Sequence, residues 1–281
     1  MTIVKGNIRI GHSPDADDAF MFYAIDKGLI DTAGLTITHV VEDIQSLNER
    51  AKKGELEVTA VSVAAFFNLT DKYTLMNCGA SIGDEYGPVV VSKSLYYPKE
   101  LKGKRIAIPG KDTTAYLTLR LYEPDFEAVI VPFDEVFKVL ESGEVDAALA
   151  IHEGQITYKD FGYTKILDLG EWYYEMTKLP LPLGVDVVRT DLGKDLMRKI
   201  QRVFRDSIVY ALEHRDEAIE YSMRYSRDTE LSTIDRFVGM YVNEKTVSMG
   251  KRSKDGMTYL HEAAKKAGLI QKSKAIQYVP A

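Results

Sequence analysis

Asn7-Ile8-Arg9-Ile10-Gly11-His12-Ser13-Pro14-Asp15-Ala16-Asp17-Asp18-Ala19-Phe20 is the stretch that decides the fold class. Residues 7–11 are short and β-compatible, and they run into a His-Ser-Pro turn. Ser13 is a suitable N-cap there, and Pro14 suits the first helical position because the N–H it lacks is not needed there. Asp15, Asp17 and Asp18 then lie at the positive end of the helix dipole. The helix continues through Phe20-Met21-Phe22-Tyr23-Ala24-Ile25 and stops near Gly28. A strand, a tight turn and a helix make the first unit of an α/β sheet.

The same alternation continues outward. Strands are expected over 35–41 and 58–63, with a helix over 44–53 that ends at Gly54. The character changes around Tyr86-Gly87-Pro88, and a second series starts after Pro98. It comprises strands over 105–108, 128–131 and 146–151, a helix from about Thr113 and another over 134–142, and a strand-like 185–188 beyond Leu179-Pro180-Leu181-Pro182-Leu183-Gly184. Beyond Leu192 the pattern is helical, over 196–214, 216–225, 232–241 and 257–266. Such a tail has too little strand for a third lobe. It predicts a discontinuous first α/β domain from 1–87 and 189–281 and a second from 88–188, with chain crossings near Gly87 and Gly184.

At 281 residues the chain exceeds the usual span of one compact unit, which also favours two lobes. Its 45% hydrophobic and 28% charged residues are ordinary for a globular protein. The net charge of -6 argues against broad nucleic-acid binding, which needs a concentrated basic face, and Lys251-Arg252-Ser253-Lys254 reads as a solvated loop. The single Cys78 rules out an internal disulfide or a cysteine-rich metal site and reads as a small buried residue. Met1 to Asn7 lead into a strand with no apolar leader segment, and nothing elsewhere approaches a membrane span, so a cytoplasmic protein without a membrane partner is expected.

In α/β architectures ligands gather beyond the carboxyl ends of strands and at domain interfaces. Gly11-His12-Ser13, Ala60-Val61-Ser62 and Ile151-His152-Glu153-Gly154 are such strand ends, and Asp112-Thr113-Thr114-Ala115 is a helix start. Backbone N–H groups at that start, flanked by two hydroxyls, suit a carboxylate or a sugar hydroxyl, while Asp112 or Thr113 equally reads as a simple cap. His152 stands open between a general base and a hydrogen-bonded structural histidine. Asp15, Asp17 and Asp18 invite a cation but are explained more simply by the helix start. Trp172-Tyr173-Tyr174 reads as packing. No phosphate-binding lysine loop, nucleophile elbow, zinc-protease helix or dinucleotide glycine fingerprint is present in the sequence.

Several of these segments together resemble the 1,4-dihydroxy-6-naphthoate synthase family of the futalosine route to menaquinone. They are Gly11-His12-Ser13-Pro14-Asp15-Ala16-Asp17-Asp18-Ala19-Phe20, Pro109-Gly110 with Thr113-Thr114-Ala115, Ile151-His152-Glu153-Gly154-Gln155, and Leu179-Pro180-Leu181-Pro182-Leu183-Gly184. The resemblance covers nearly the whole chain. It implies the two-lobed type II periplasmic-binding-protein-like α/β fold with a central cleft. It also implies a carbon–carbon lyase that converts cyclic dehypoxanthine futalosine to 1,4-dihydroxy-6-naphthoate and dihydroxyacetone, with no metal or organic cofactor. Carried over by position, His152 is the general base, and Ala60, Val61, Ser62, Thr113, Thr114 and Ala115 contact the substrate. Some members carry Ser-Pro-Cys-Pro-Asn-Asp-Thr where this chain has Ser13 to Ala19, and some a lysine where Ala60 stands.

Two other readings share the fold. One is a chorismate dehydratase of the same pathway, against which the His-Glu-Gly-Gln segment speaks. The other is a solute-binding protein that captures a small anion and does no chemistry. A fold common to binders and enzymes decides nothing by itself, so the choice rests on the site.

Overall fold

The computed structural model describes residues 7–225, 230–270 and 273–280. Residues 1–6, on which the leader reading rests, lie outside the described residues. The chain divides into two compact units, one of Met1–Ile82, Gly184–Lys251 and Lys272–Ala281, the other of Gly83–Leu183 and Arg252–Gln271. Among the described residues no helix is long and apolar enough to cross a membrane.

The first unit begins β1 (Asn7–His12), α1 (Ala16–Asp26), β2 (Thr36–Val41), α2 (Ile44–Lys53), β3 (Val58–Ser62), α3 (Val63–Phe66), β4 (Tyr73–Leu75) and β5 (Ser81–Gly83). The helix starts two residues later than expected. Asp15, not Ser13, is the N-cap, and its side chain makes no capping bond. The Asp18 carboxylate instead reaches back to accept from the Ser13 N–H at 2.7 Å, which fixes the turn after β1. In α2 capping follows the sequence: Asp43 accepts from the Gln45 and Ser46 N–H groups, and Gly54 closes the helix at φ 71°. Gly11 is required by packing, since a Cβ there would sit 2.5 Å from Leu56 and 2.7 Å from Leu47, the residues that join α2 to the sheet.

The second unit contains β6 (Val89–Ser92), β7 (Arg105–Ile108), α4 (Thr114–Tyr122), β8 (Glu127–Ile130), α5 (Val136–Ser142), β9 (Ala147–Ala150), α6 (Gly154–Thr157), β10 (Thr164–Asp168) and α7 (Leu169–Thr177). The strand β11 (Leu181–Arg189) follows, and then the helices α8 (Lys194–Glu213), α9 (Arg215–Ser222), α10 (Leu231–Tyr241), α11 (Glu244–Val247) and α12 (Lys251–Lys266). Strand order in the first sheet is β2-β1-β3-β11-β4, with β5 on β11, and in the second β10-β6-β9-β7-β8. β1 runs parallel to β2 and β3, and β7 parallel to β8 and β9. β11 is antiparallel to β3 and β4, and β6 to β9 and β10. α1 packs against α8, α9 and α10 and is buried on nearly every side. The second core gathers Val89, Val91, Ala107, Val136, Leu140 and Ala148.

The unit boundaries differ from the expected 87/88 and 188/189, and α12 groups with the second unit rather than the first. Close packing explains both. The Gly87 segment is held in the second unit at Gly170, where a Cβ would lie 1.9 Å from the Tyr86 carbonyl oxygen. Tyr173 of α7 donates its hydroxyl to the Gly256 carbonyl of α12 at 2.7 Å and meets Tyr259 edge-on. The basic run at 251–254 is therefore the first turn of α12 and not a loop, with Ser253 buried.

Candidate active site

In the first unit β1 and β3 are adjacent and parallel, so the turn after His12 and the turn after Ser62 leave the same edge of the sheet. His12 is buried, stacks on Phe22 at 4.5 Å, and places its Nδ1 3.0 Å from the Ser13 carbonyl. Its Nε2 lies 3.1 Å from His39 Nδ1. A bond from His12 Nδ1–H to that carbonyl leaves Nε2 as acceptor, so His39 donates. Burial lowers the pKa of His12, and burial and then the His12 neighbour lower that of His39 to about 4. This pair is neutral near neutrality.

Ala60, Val61 and Ser62 end β3 opposite Asp186, Val185 and Gly184 of β11. Ala60 packs with Leu47 and Leu56. Val61 is fully buried and, by strand alternation, points to the opposite face, so its side chain belongs to the core. Ser62 is held by Asn48 of α2: the Asn48 Oδ1 accepts from the Ser62 N–H at 2.9 Å, and Asn48 Nδ2 donates to Ser62 Oγ at 3.3 Å. Asp186 lies nearby on β11, its carboxyl completely buried and its pKa driven well above the usual carboxylate range by desolvation and then by Asp18 and Asp17. Its Oδ1 has no hydrogen-bond partner among the described residues.

In the second unit β7 and β9 are adjacent and parallel, which brings the loop before α4 and the turn carrying His152 to one sheet edge. Thr113 is the N-cap of α4: its Oγ1 accepts from the Tyr116 N–H at 3.2 Å and donates to the Gly110 carbonyl at 2.8 Å. Thr114 donates its hydroxyl to the Leu183 carbonyl at 2.6 Å. Both hydroxyl protons are thereby committed, leaving these two oxygens as acceptors beside the positive end of α4. Ala115 is buried in the first turn.

His152 follows β9 by two residues and has φ 52°, in the left-handed region that a side chain with a Cβ normally avoids. Its carbonyl accepts from the Gln155 N–H at 3.1 Å, and its ring meets Phe133 edge-on at 5.0 Å. The ring is thus oriented by packing and backbone at a strand end, and it is half-buried.

The structure groups Ser62 with the turn after β1 in one unit, and His152 with Thr113, Thr114 and Ala115 in the other. Asn48, His39 and Asp186 were missed from sequence. A signal existed for two of them: Asn48 occupies the buried stripe of α2 between Leu47 and Ala51, and Asp186 interrupts the run Val185 to Val188. Cys78 is buried, and desolvation raises its thiol pKa, so it is a poor nucleophile. Among the described residues no group of three or more His, Cys, Asp or Glu is placed to hold a metal ion.

The chain matches the family model described as menaquinone biosynthesis over residues 8–266. It is 36% identical to 1,4-dihydroxy-6-naphthoate synthase of Thermus thermophilus over 95% of this chain and 97% of the relative. It is 32% identical to the enzyme of the same name from Streptomyces coelicolor over 98% and 95%. The crystal structure of protein AF1704 from Archaeoglobus fulgidus superimposes with TM-score 0.91 at 49% identity, covering 95% of this chain and 100% of that one. The alkanesulfonate-binding protein SsuA of Xanthomonas axonopodis pv. citri, bound to MOPS, gives TM-score 0.74 at 13% identity over 98% of each chain, a likeness of fold alone. The fold is accordingly α/β and periplasmic-binding-protein-like, and the chain belongs to the 1,4-dihydroxy-6-naphthoate synthase family of menaquinone biosynthesis.

Proposed function

We propose that this protein is a carbon–carbon lyase of the futalosine route, converting cyclic dehypoxanthine futalosine to 1,4-dihydroxy-6-naphthoate with release of dihydroxyacetone. His152 acts as the general base that removes a proton from the substrate to start fragmentation. The observation that carries this reading is the backbone of His152, which is held left-handed at the carboxyl end of β9 on the sheet edge that also carries α4. Strain of this kind persists where the surroundings impose it, and it gathers at functional positions. Histidine is also the side chain best suited to exchange a proton near neutral pH.

Ser62 at the end of β3, with the backbone of Ala60 and Val61, contacts the substrate in this reading, and Thr113, Thr114 and Ala115 contact it at the start of α4. A hydroxyl-rich substrate suits the acceptor oxygens of the two threonines and the donors of a helix start. The chemistry needs neither metal nor organic cofactor, and a biosynthetic lyase of this kind belongs in the cytoplasm. Purified protein incubated with cyclic dehypoxanthine futalosine is expected to release the naphthoate and dihydroxyacetone in equal amounts, and chorismate is expected to remain unchanged. Consumption of chorismate, or binding of the futalosine derivative without product, overturns the proposal.

A further inference from the structure

We infer that Asn48 is a positioning residue that sets the Ser62 hydroxyl as a hydrogen-bond donor toward an acceptor oxygen of the substrate. The inference rests on the functional reading above and adds a residue and a polarity to it. Asn48 is completely buried on α2, where Leu47 and Ala51 supply the apolar packing. A carboxamide in such a position is tolerated only when its polar atoms are bonded. Its bonds to the strand end go to one residue: Oδ1 accepts from the Ser62 backbone N–H, and Nδ2 donates to Ser62 Oγ. Because a backbone N–H can only donate, the amide orientation is fixed by chemistry.

The consequence is a directed hydroxyl. Ser62 Oγ receives a bond from Asn48, so its own proton is the group left to give. Ser62 stands at the N-cap of α3, yet its side chain makes no capping bond. No acceptor for its proton occurs among the described residues, and 5% of the residue stays exposed. Neighbouring hydroxyls behave differently: Thr59 donates to the Ala60 carbonyl, Thr113 to Gly110 and Thr114 to Leu183. Of the hydroxyls expected to meet substrate, Ser62 alone has its donor unspent. Its partner is an oxygen acceptor such as a carboxylate or carbonyl, and an acceptor of that kind is recognised more strongly when it carries charge.

Asn48→Asp tests the polarity, because a carboxylate still accepts the Ser62 N–H but now also accepts the Ser62 O–H and turns the proton away from the ligand. With cyclic dehypoxanthine futalosine as substrate, KM is expected to rise about tenfold to a hundredfold with kcat nearly unchanged, as for Ser62→Ala. The double variant is expected to match Ser62→Ala alone, and the loss should ease as the pH is lowered and the introduced carboxyl takes a proton. Asn48→Ala supplies the same comparison should Asn48→Asp not fold. Its KM is expected to rise, and its combination with Ser62→Ala should again be non-additive. A wild-type KM in the folded Asn48 variants, or losses that multiply in the double variant, overturns the positioning role while wild-type turnover keeps the functional reading. A wild type that neither binds nor converts the substrate overturns both.

Discussion

His152 carries its side chain on a left-handed backbone, a conformation that costs on the order of 1–2 kcal/mol in a residue with a Cβ. Glycine relieves that strain. His152→Gly is therefore expected to raise the urea midpoint, or at worst leave it unchanged after loss of the Phe133 contact, while product formation disappears. A large fall in stability would make the histidine structural instead. Asp186 presents the opposite case, a carboxyl whose pKa is raised by burial and by Asp18 and Asp17. A group raised in this way favours the folded state below the unfolded carboxylate range and loses that contribution as the pH rises. Asp186→Asn should thus be at least as stable as wild type at pH 8 in chemical denaturation. Strong destabilisation of this variant at pH 8 would contradict a raised pKa at this position.

At the scale of elements, α4 depends on its cap. Thr113→Ala removes the acceptor for the Tyr116 N–H and is expected to cost about 1 kcal/mol, whereas Thr113→Ser should restore most of it, as read from thermal melts. Periodic elements were legible in the sequence because their signals are local: the strand before Ser13, the Asp43 and Gly54 ends of α2, and Thr113 ahead of α4 all stand where residue chemistry places them. β6 and β10 were not legible. Val89 to Ser92 is buried on both faces and shows no alternation, and β10 is interrupted by a bulge between Lys165 and Leu167. The extent of β11 was underestimated because Pro182 suppresses a strand reading. In the site, His152 and the α4 start were visible as strand and helix ends. Asn48 and Asp186 were visible only as polar breaks in apolar patterns; the groups they face, Ser62 for one and Asp17 and Asp18 for the other, are distant in sequence, and no local pattern encodes that.

At the scale of the whole molecule, the histidine pair gives stability a definite pH dependence. His12 and His39 have folded-state pKa values below the ordinary histidine value, that of His39 at about 4. Their unfolded forms therefore take up protons first, and the stability present above about pH 6.5 is lost as the pH falls toward 4. A decline of roughly 2 kcal/mol attributable to the pair is expected in urea titrations over that window, and His39→Gln should make it shallower. The proposed chemistry turns on a base in the second unit acting on a futalosine-derived substrate. His152→Ala and wild type, compared in a single-turnover assay with cyclic dehypoxanthine futalosine, test it most directly. The expected result is substrate binding within about threefold of wild type and a rate of naphthoate formation lower by at least a hundredfold, in the range that loss of a general base gives. Product formation by His152→Ala at a rate close to wild type would contradict it.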